Sequence, residues 1–464
     1  MLSFFKKKKV ASKKVVIIGL DGTPYSLLKN LIKQGKLPNI AQIFSKGYFG
    51  PTTVCLPEIS SVSWSSFMTG TNSATHGIYG FMDFKPGTYD LYFPNFYDLK
   101  TSTIFDEIGK LNKKSIVINL PSTYPTREIS GILISGFVAI DLKKAVYPLS
   151  LLPKLEELNY RIDIDTTKAR NDHDFLIQDL DKTLKIREKT ANYLWENEDW
   201  DLFMVVITGT DRLQHFLFDA YVNEKHPYHQ AFIEYYQKID NFVGQIYEKY
   251  EKLNSEKTFF MLSDHGFTQI KTEVYINRWL FENGYLKFNT DKPQMVSDIG
   301  PGTIAFALDP SRIYINLKEK YPLGMVDKSD YNRLREELKS AFLEIKYENE
   351  PILKNVFFKE EIYNGPYLNQ APDLVLLSKH GFDLKATVQR DVVFGRSGLQ
   401  GMHTYDDAFY FCDKGIECDN MKKLCTSGSM GFLAKKEVHV CIIWELIFIK
   451  SILFQLLWIK RGKF

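Results

Sequence analysis

The chain has 464 residues, of which 44% are hydrophobic and 25% are charged. This balance excludes an intrinsically disordered chain, and the length allows one large domain with an insertion or two domains. The net charge is +3, but six lysines fall within the first fourteen residues, so the remainder is close to neutral and no nucleic-acid partner is expected.

Residues 1–13 form a basic N-terminal arm, which is either a solvated segment or an anchor for an anionic membrane surface. The five residues before the lysines are too few for the apolar core of a signal peptide, so export is not expected. Cys55 stands alone until Cys412, which predicts no disulfide framework before residue 412. Together these features predict a cytoplasmic location.

Short, continuously apolar runs alternate with helical patterns along the chain. Such runs are typical of strands buried on both faces, so we predict an α/β fold with a mostly parallel central sheet flanked by helices. A Pro- and Gly-rich stretch at 293–309, followed by a helical pattern at 331–345, predicts a smaller inserted lobe at about 293–365. The predicted strands are 15–20, 116–120, 132–135, 202–207, 258–262 and 373–377, and the main predicted helical regions are 27–43, 178–197 and 228–252.

Polar residues with metal-ligand chemistry come after several of these runs. In an open α/β sheet, ligands bind beyond the carboxyl ends of the strands, so these side chains are expected at one edge. Each is weak alone, because an Asp-Gly pair usually marks a turn and an Asp–His pair can simply be hydrogen-bonded. Three aspartates and three histidines together suit two zinc or manganese ions. The six candidates are Asp21, Asp211, His215, Asp264, His265 and His403.

A serine-rich turn at 56–67 leads into a predicted helix near Trp64. A helix N-terminus offers unpaired N–H groups to an anion such as phosphate, and a serine there becomes a nucleophile once a base or metal lowers its pKa. The alternative is that these serines only cap the helix.

Several segments, in this order, resemble the alkaline phosphatase superfamily, specifically the type I phosphodiesterase/nucleotide pyrophosphatase branch. The resemblance covers roughly residues 14–411 and implies an alkaline phosphatase-like catalytic domain. The segments that carry it are 17–22, 57–67 with 69–70 and 76–78, 119–121 with 124–125, 210–215, 263–267, 276–280 with 284–286, 310–316, 365–368 and 371–374.

The resemblance also implies a role for each site residue. One divalent cation would be held by Asp211, His215 and His403. The other would be held by Asp21, Asp264 and His265, with Ser60 as both ligand and catalytic nucleophile. Ser61 is the neighbour that a one-residue error would select instead, and His76 is expected to pack the helix end rather than to bind metal. Zinc is the first expectation for both ions and manganese the second.

The implied activity is hydrolysis of phosphate monoesters or diesters through a phospho-serine intermediate, with a small nucleotide, sugar or lipid phosphate as substrate. The alternatives are a cofactor-independent phosphomutase and a non-catalytic protein that binds a phosphorylated ligand. A sulfatase is disfavoured because the Ser60 region lacks the Cys/Ser-x-Pro-x-Arg motif. Substrate contacts stay unassigned: Arg212, Asn119, Tyr124 and Arg396 lie near the motifs but suit structural roles equally well.

Residues 412–464 form a divergent tail that holds four of the five cysteines. The stretch 440–459 is strongly apolar but is interrupted by Glu445 and Lys450, which are costly inside a bilayer. Three interpretations remain open: a tail anchor that provides membrane contact, an amphipathic helix, or a tail translated in a shifted frame.

Overall fold

A computed structural model describes residues 13–415. The basic arm, apart from Lys13, and nearly all of the predicted tail, including 440–459, lie outside the described residues. Within 13–415, no helix is both long enough and apolar enough to cross a bilayer.

Strands and helices alternate through the first two thirds of the chain. The strands are β1 (Lys14–Leu20), β2 (Tyr48–Thr52), β3 (Asp83–Phe84), β4 (Leu91–Tyr92), β5 (Ser115–Leu120), β6 (Gly131–Ser135), β7 (Val146–Tyr147), β8 (Leu202–Ile207), β9 (Lys257–Leu262), β10 (Gly266–Gln269), β11 (Thr272–Tyr275), β12 (Ala305–Leu308), β13 (Arg312–Ile315), β14 (Lys346–Tyr347), β15 (Glu350–Pro351), β16 (Leu353–Phe358), β17 (Leu374–Ser378), β18 (Phe382–Lys385), β19 (Phe394–Gly395), β20 (Gly401–Thr404) and β21 (Ala408–Cys412). The helices are α1 (Tyr25–Lys33), α2 (Pro38–Phe44), α3 (Ser60–Thr69), α4 (Ser73–His76), α5 (Ile104–Lys110), α6 (Leu152–Glu157), α7 (Thr166–Ala169), α8 (His173–Asn197), α9 (Gly209–Val222), α10 (His229–Glu251), α11 (Ile276–Glu282), α12 (Tyr331–Leu343) and α13 (Lys359–Ile362).

The central sheet has eight strands in the order β2-β21-β9-β1-β8-β5-β6-β7. The inner strands β9, β1, β8, β5 and β6 run parallel, whereas β2, β21 and β7 pair antiparallel at the two ends. The predicted α/β fold with a mostly parallel central sheet is therefore confirmed.

The inner strands of this sheet are apolar at most positions because both faces are covered. In β1, Val16 and Ile18 point into one hydrophobic cluster, while Val15 and Ile17 point into another on the opposite face. Helices α1, α2, α8, α9 and α10 contribute buried residues to the first cluster, and α3 and α5 contribute to the second. The helices predicted at 178–197 and 228–252 correspond to α8 and α10.

The residues between β9 and β20 in the sequence form most of a second structural unit. Its antiparallel sheet has the order β12-β13-β17-β16, and its separate core takes in residues from Val274 to Val388 together with Phe84 and Tyr89. The predicted lobe at about 293–365 lies within this longer stretch, which we call the lobe (residues 272–395).

One predicted strand belongs to the lobe rather than to the central sheet. The run at 373–377 forms β17, which pairs antiparallel with β13 and β16. Leu374 and Leu376 face the lobe core, whereas Val375 and Leu377 face a small cluster against α4 and Tyr79. Because β17 is also buried on both faces, its sequence has the pattern of a strand in the parallel sheet.

Candidate active site

Six side chains meet at the carboxyl edge of the central sheet, and we call them the ligand cluster: Asp21, Asp211, His215, Asp264, His265 and His403. Asp21 follows β1, and Asp264 and His265 follow β9, the strand beside β1. Asp211 and His215 lie one turn apart on α9, which begins directly after β8. These placements follow from parallel strands that end at a common edge.

His403 reaches the same edge by a different route. It lies on β20, which pairs antiparallel with β10 so that His403 is opposite Phe267. Since β10 follows His265 directly, this ladder stacks the rings of His265 and His403 at a centroid distance of 3.6 Å.

The distances within the ligand cluster define two overlapping groups. The Nε2 atoms of His215 and His403 lie 3.1 Å apart, and each is 3.3 Å from Asp211 Oδ1. His265 Nε2 lies 3.4 Å from Asp264 Oδ2, 3.7 Å from Asp21 Oδ1 and 3.9 Å from Asp211 Oδ1. Two sets of ligand atoms are each close enough to hold one ion: Asp211 with His265 and His403, and Asp21 with Asp264 and His265.

The three histidines share one orientation. Each places Nδ1 against a backbone carbonyl: His215 on Gly401 at 3.1 Å, His265 on Gly266 at 3.1 Å and His403 on Glu58 at 2.9 Å. A carbonyl oxygen only accepts hydrogen bonds, so Nδ1 carries a proton in each ring, and in the neutral ring the Nε2 lone pair faces the cluster. Metal-binding histidines typically have this arrangement.

Ser60 begins α3 and its hydroxyl lies at the cluster. Ser60 Oγ is 3.2 Å from His265 Nε2 and 3.4 Å from Asp21 Oδ1. Ser61 Oγ is buried with no hydrogen-bond partner among the described residues. Adjacent residues on a helix point in different directions, so only Ser60 of this pair reaches the ligand cluster.

Trp64 holds a site residue in place, a role that the sequence analysis did not predict. Its Nε1 donates to Asp21 Oδ2 at 3.0 Å. Ser60 and Trp64 are four residues apart on α3 and so share a helix face, a spacing from which the contact could have been inferred. Other supports come from the backbone and from α9: Gly22 N donates to Asp264 Oδ1 at 2.9 Å, and Thr210 Oγ1 donates to the Asp21 carbonyl at 2.5 Å.

The four residues considered as substrate contacts have different surroundings. Arg212 donates to Asp163 and to Asp211, whereas Asn119 donates to the Val206 carbonyl and Arg396 to the Ile270 carbonyl. The Tyr124 carbonyl accepts from Phe96 N. His76 is fully buried at the end of α4, where its Nε2 lies 3.0 Å from Ser66 Oγ.

Burial and mutual repulsion dominate the electrostatics of the site. Burial raises the pKa of Asp21 well above its usual range, and the carboxylates of Asp264 and Asp211 raise it further. Burial raises the pKa of Asp264 to about 7 and lowers the pKa of His403 to about 3. Burial also acts to raise the pKa of Asp211, but His215, His403 and Arg212 outweigh it and hold that pKa well below its usual value.

The donor set fits two divalent cations. Asp211 Oδ1 and Asp264 Oδ2 are buried without a hydrogen-bond partner among the described residues. In the neutral rings, the Nε2 lone pairs of His215 and His403 face each other at 3.1 Å, an arrangement that a cation bound to both would stabilise. Imidazole nitrogens with carboxylate oxygens are ligands for zinc and manganese.

Comparison with known proteins identifies the family of the chain. The profile of the type I phosphodiesterase/nucleotide pyrophosphatase family matches residues 15–406. The chain belongs to this family. It is thus a member of the nucleotide pyrophosphatase branch of the alkaline phosphatase superfamily, which is metal-dependent, and family membership supports phosphoester hydrolysis as its class of activity.

Solved structures show the same fold at low sequence identity. Phosphonoacetate hydrolase from Sinorhizobium meliloti, in complex with phosphonoacetate, is 15% identical with a TM-score of 0.60, over 90% of this chain and 92% of its own. Murine ectonucleotide pyrophosphatase/phosphodiesterase 5, an inactive variant in complex with AMP, is 14% identical with a TM-score of 0.53, over 89% and 92%. The alkaline phosphatase PafA is 12% identical with a TM-score of 0.51, over 89% and 94%. A sequence search of functionally curated proteins gave no significant match.

Proposed function

We propose that the protein is a metal-dependent hydrolase of small phosphate monoesters or diesters that acts through a phospho-serine intermediate on Ser60. The observation that carries this proposal is the position of Ser60 Oγ, 3.2 Å from His265 Nε2 and 3.4 Å from Asp21 Oδ1 at the start of α3. A hydroxyl whose only task was to cap the helix would bond to the backbone of the first turn instead.

The ligand cluster would hold two cations, with zinc the first expectation and manganese the second. Asp211, His215 and His403 form one set of ligands, and Asp21, Asp264 and His265 form the other together with Ser60. His265 lies between the two sets, 3.9 Å from Asp211 Oδ1. When bound, two such cations supply the charge that lowers the pKa of the Ser60 hydroxyl and stabilises the attacked phosphate.

The residues of the chain position the reaction. Trp64 and Thr210 fix Asp21, and the three backbone carbonyls fix the histidine rings. The N-terminal end of α3 favours a phosphate next to Ser60. Ser60 Oγ forms a bond to phosphorus while the bond to the ester oxygen breaks and the alcohol leaves. Water then cleaves the phospho-serine, which releases phosphate from a monoester and the remaining monoester from a diester.

The test is metal-dependent turnover by the full chain. Protein stripped with a chelator and reloaded with zinc or manganese should bind about two equivalents and release p-nitrophenol from p-nitrophenyl phosphate or its diester. Free phosphate and alcohol as products would support a hydrolase, whereas an isomerised phosphate ester would identify a mutase. Binding of phosphate esters without any turnover at full metal loading would leave the non-catalytic alternative, and full activity of metal-free protein would contradict the proposal.

A further inference from the structure

A cavity of about 90 Å³ adjoins the ligand cluster where the central sheet meets the lobe. Its wall includes His215 and His403, so it lies directly beside the expected place of the reacting phosphate. The wall also includes polar residues from distant parts of the chain, namely Glu58 before α3, Ser311 before β13, and Asp383 and Lys385 on β18.

Two polar side chains in this wall are buried and unpaired. Glu58 is 8% exposed and Ser311 is 1% exposed. Neither Glu58 Oε2 nor Ser311 Oγ has a hydrogen-bond partner among the described residues. Leaving such a group unsatisfied costs about 1–3 kcal/mol, so two of them on one cavity point to a ligand that supplies the missing bonds.

The charges in the wall indicate which ligand fits. Asp383 pairs with Lys385 at 2.8 Å, so these two residues largely neutralise each other. The charged groups that act most strongly on Glu58 are carboxylates, Asp383 and Asp406, and no cation is among them. A carboxyl group can accept a hydrogen bond in either protonation state, so Glu58 suits a ligand that donates one.

The size of the cavity restricts the ligand further. A space of about 90 Å³ suits a short aliphatic group.

We propose that this cavity binds the alcohol portion of the ester, and that it selects a short aliphatic alcohol carrying a further hydroxyl or ammonium group. Glu58 accepts a hydrogen bond from that group, and Ser311 donates to it or accepts from it. The inference rests on the proposed function, because it identifies the leaving group of the same reaction.

The test compares two esters of equal chain length, glycerol 1-phosphate and propyl phosphate, with metal-loaded full-length protein. The parent should have at least a tenfold higher kcat/KM for the glycerol ester. Glu58→Leu and Ser311→Ala should each lower this ratio at least fivefold, because a site built to bond a hydroxyl loses its discrimination when the bonding group is removed. Metal content is measured in each variant to confirm that the ligand cluster is intact.

Ser115→Ala is the matched control. Ser115 is also fully buried and its Oγ is also unpaired among the described residues, but it lies at the opposite end of β5 from the ligand cluster and does not line the cavity. The Ser115→Ala variant should have the same ratio of kcat/KM for glycerol 1-phosphate to kcat/KM for propyl phosphate as the parent. Glu58→Gln separates the two ligand chemistries: because an ammonium group needs the carboxylate, kcat/KM should fall by a larger factor for O-phosphoethanolamine than for glycerol 1-phosphate.

The outcomes separate the inference from the proposed function. The inference would be overturned if the protein hydrolysed both esters and neither Glu58→Leu nor Ser311→Ala changed the ratio of the two kcat/KM values. The proposed hydrolase activity would still be supported in that case. A higher kcat/KM of the parent for propyl phosphate or AMP than for glycerol 1-phosphate would likewise overturn the inference and not the proposed hydrolase activity. Failure of the metal-loaded parent to hydrolyse any phosphate ester would overturn both.

Discussion

Buried acids lie both in the ligand cluster and in the lobe, but their surroundings are opposite. In the lobe, Asp373 accepts from Ile315 N at 2.8 Å, Tyr331 Oη at 2.5 Å and Lys359 Nζ at 2.9 Å. Burial acts to raise the pKa of Asp373, but Lys320 and Lys359 outweigh it and hold that pKa below its usual value.

In the ligand cluster, Asp264 Oδ2 has no partner among the described residues, and burial raises the pKa of Asp264 to about 7. The satisfied acid of the lobe stabilises the fold, whereas the unsatisfied acid needs a ligand that the chain alone does not supply. Substitutions should therefore have different consequences in the two regions.

The largest expected effect belongs to Ser60. Ser60→Ala should lower turnover by about a thousandfold or more, because it removes the hydroxyl that lies 3.4 Å from the Asp21 carboxylate and 3.2 Å from His265 Nε2. The melting temperature and metal content should change little, since one hydroxyl contributes little to stability. Ser60→Thr should be partly active.

Ser61→Ala is the control for this experiment and should stay close to the parent. Acid-quenched enzyme, digested and examined by mass spectrometry, should carry phosphate on Ser60. Phosphate on Ser61, or full activity of Ser60→Ala, would show that the nucleophile has been misassigned.

The contrast between the two acids is tested by the same substitution in each region. Asp373→Asn should lower the free energy of unfolding by about 3 kcal/mol, because it leaves Lys359 largely buried without its counter-charge. Metal affinity should be unchanged, as measured by chelator competition.

Asp264→Asn should behave in the opposite way. It removes a buried, repelled charge while its remaining side-chain oxygen can still accept from Gly22 N, so the metal-free protein should be as stable as the parent or more so. Metal binding should be lost from the site that includes Asp21. If Asp264→Asn unfolded the metal-free protein, the acid would be structural after all.

Much of the candidate site could be predicted from the sequence, because five of its six candidate ligands follow parallel strands directly or lie on α9, which follows β8. His403 follows none of the predicted strands, so the strand pattern alone did not explain its place at this edge, which depends on the β10–β20 ladder. The predicted place of β17 in the central sheet was wrong, because a strand buried on both faces has the same apolar sequence pattern in either sheet. Asp163, Glu58 and Ser311 acquire their roles through tertiary contacts between distant loops, which no local pattern encodes.

A smaller effect is expected at the support of Asp211. Arg212 Nη1 donates to Asp211 Oδ2 at 3.0 Å, while its Nε and Nη2 donate to Asp163 Oδ2 at 3.0 and 2.7 Å, and its guanidinium lies over the Phe137 ring. Asp163→Asn should loosen this arrangement and weaken metal binding by about 10–100-fold, the usual range for groups that orient a metal ligand.

The control for Asp163 is Asp106→Asn, which weakens another aspartate–arginine pair, with Arg127 at 2.6 Å, outside the site. It should leave metal affinity unchanged in chelator competition. Equal loss of affinity in both variants would mean that Asp163 acts through general stability and not by positioning Asp211.

The smallest effect is expected at a pair that joins the lobe to the central domain on the surface. His380 Nε2 lies 2.8 Å from Asp406 Oδ1, and this bond raises the pKa of His380 against the effect of partial burial. Asp407 adds to the rise, while Lys354, which bonds Asp406 Oδ2 at 2.6 Å, opposes it. A histidine with a raised pKa contributes stability that is complete below its unfolded pKa of about 6.5 and is lost as pH rises through the folded pKa. His380 is 54% exposed, so the contribution should stay below about 1 kcal/mol.

His380→Gln should therefore lower the free energy of unfolding slightly at pH 5.5 and not at pH 9. In an Asp406→Asn background, the same substitution should have no effect at either pH. A loss as large as that of Asp373→Asn would show that the contact between lobe and sheet depends on this pair, and that satisfied polar contacts outside the lobe core also hold the fold together.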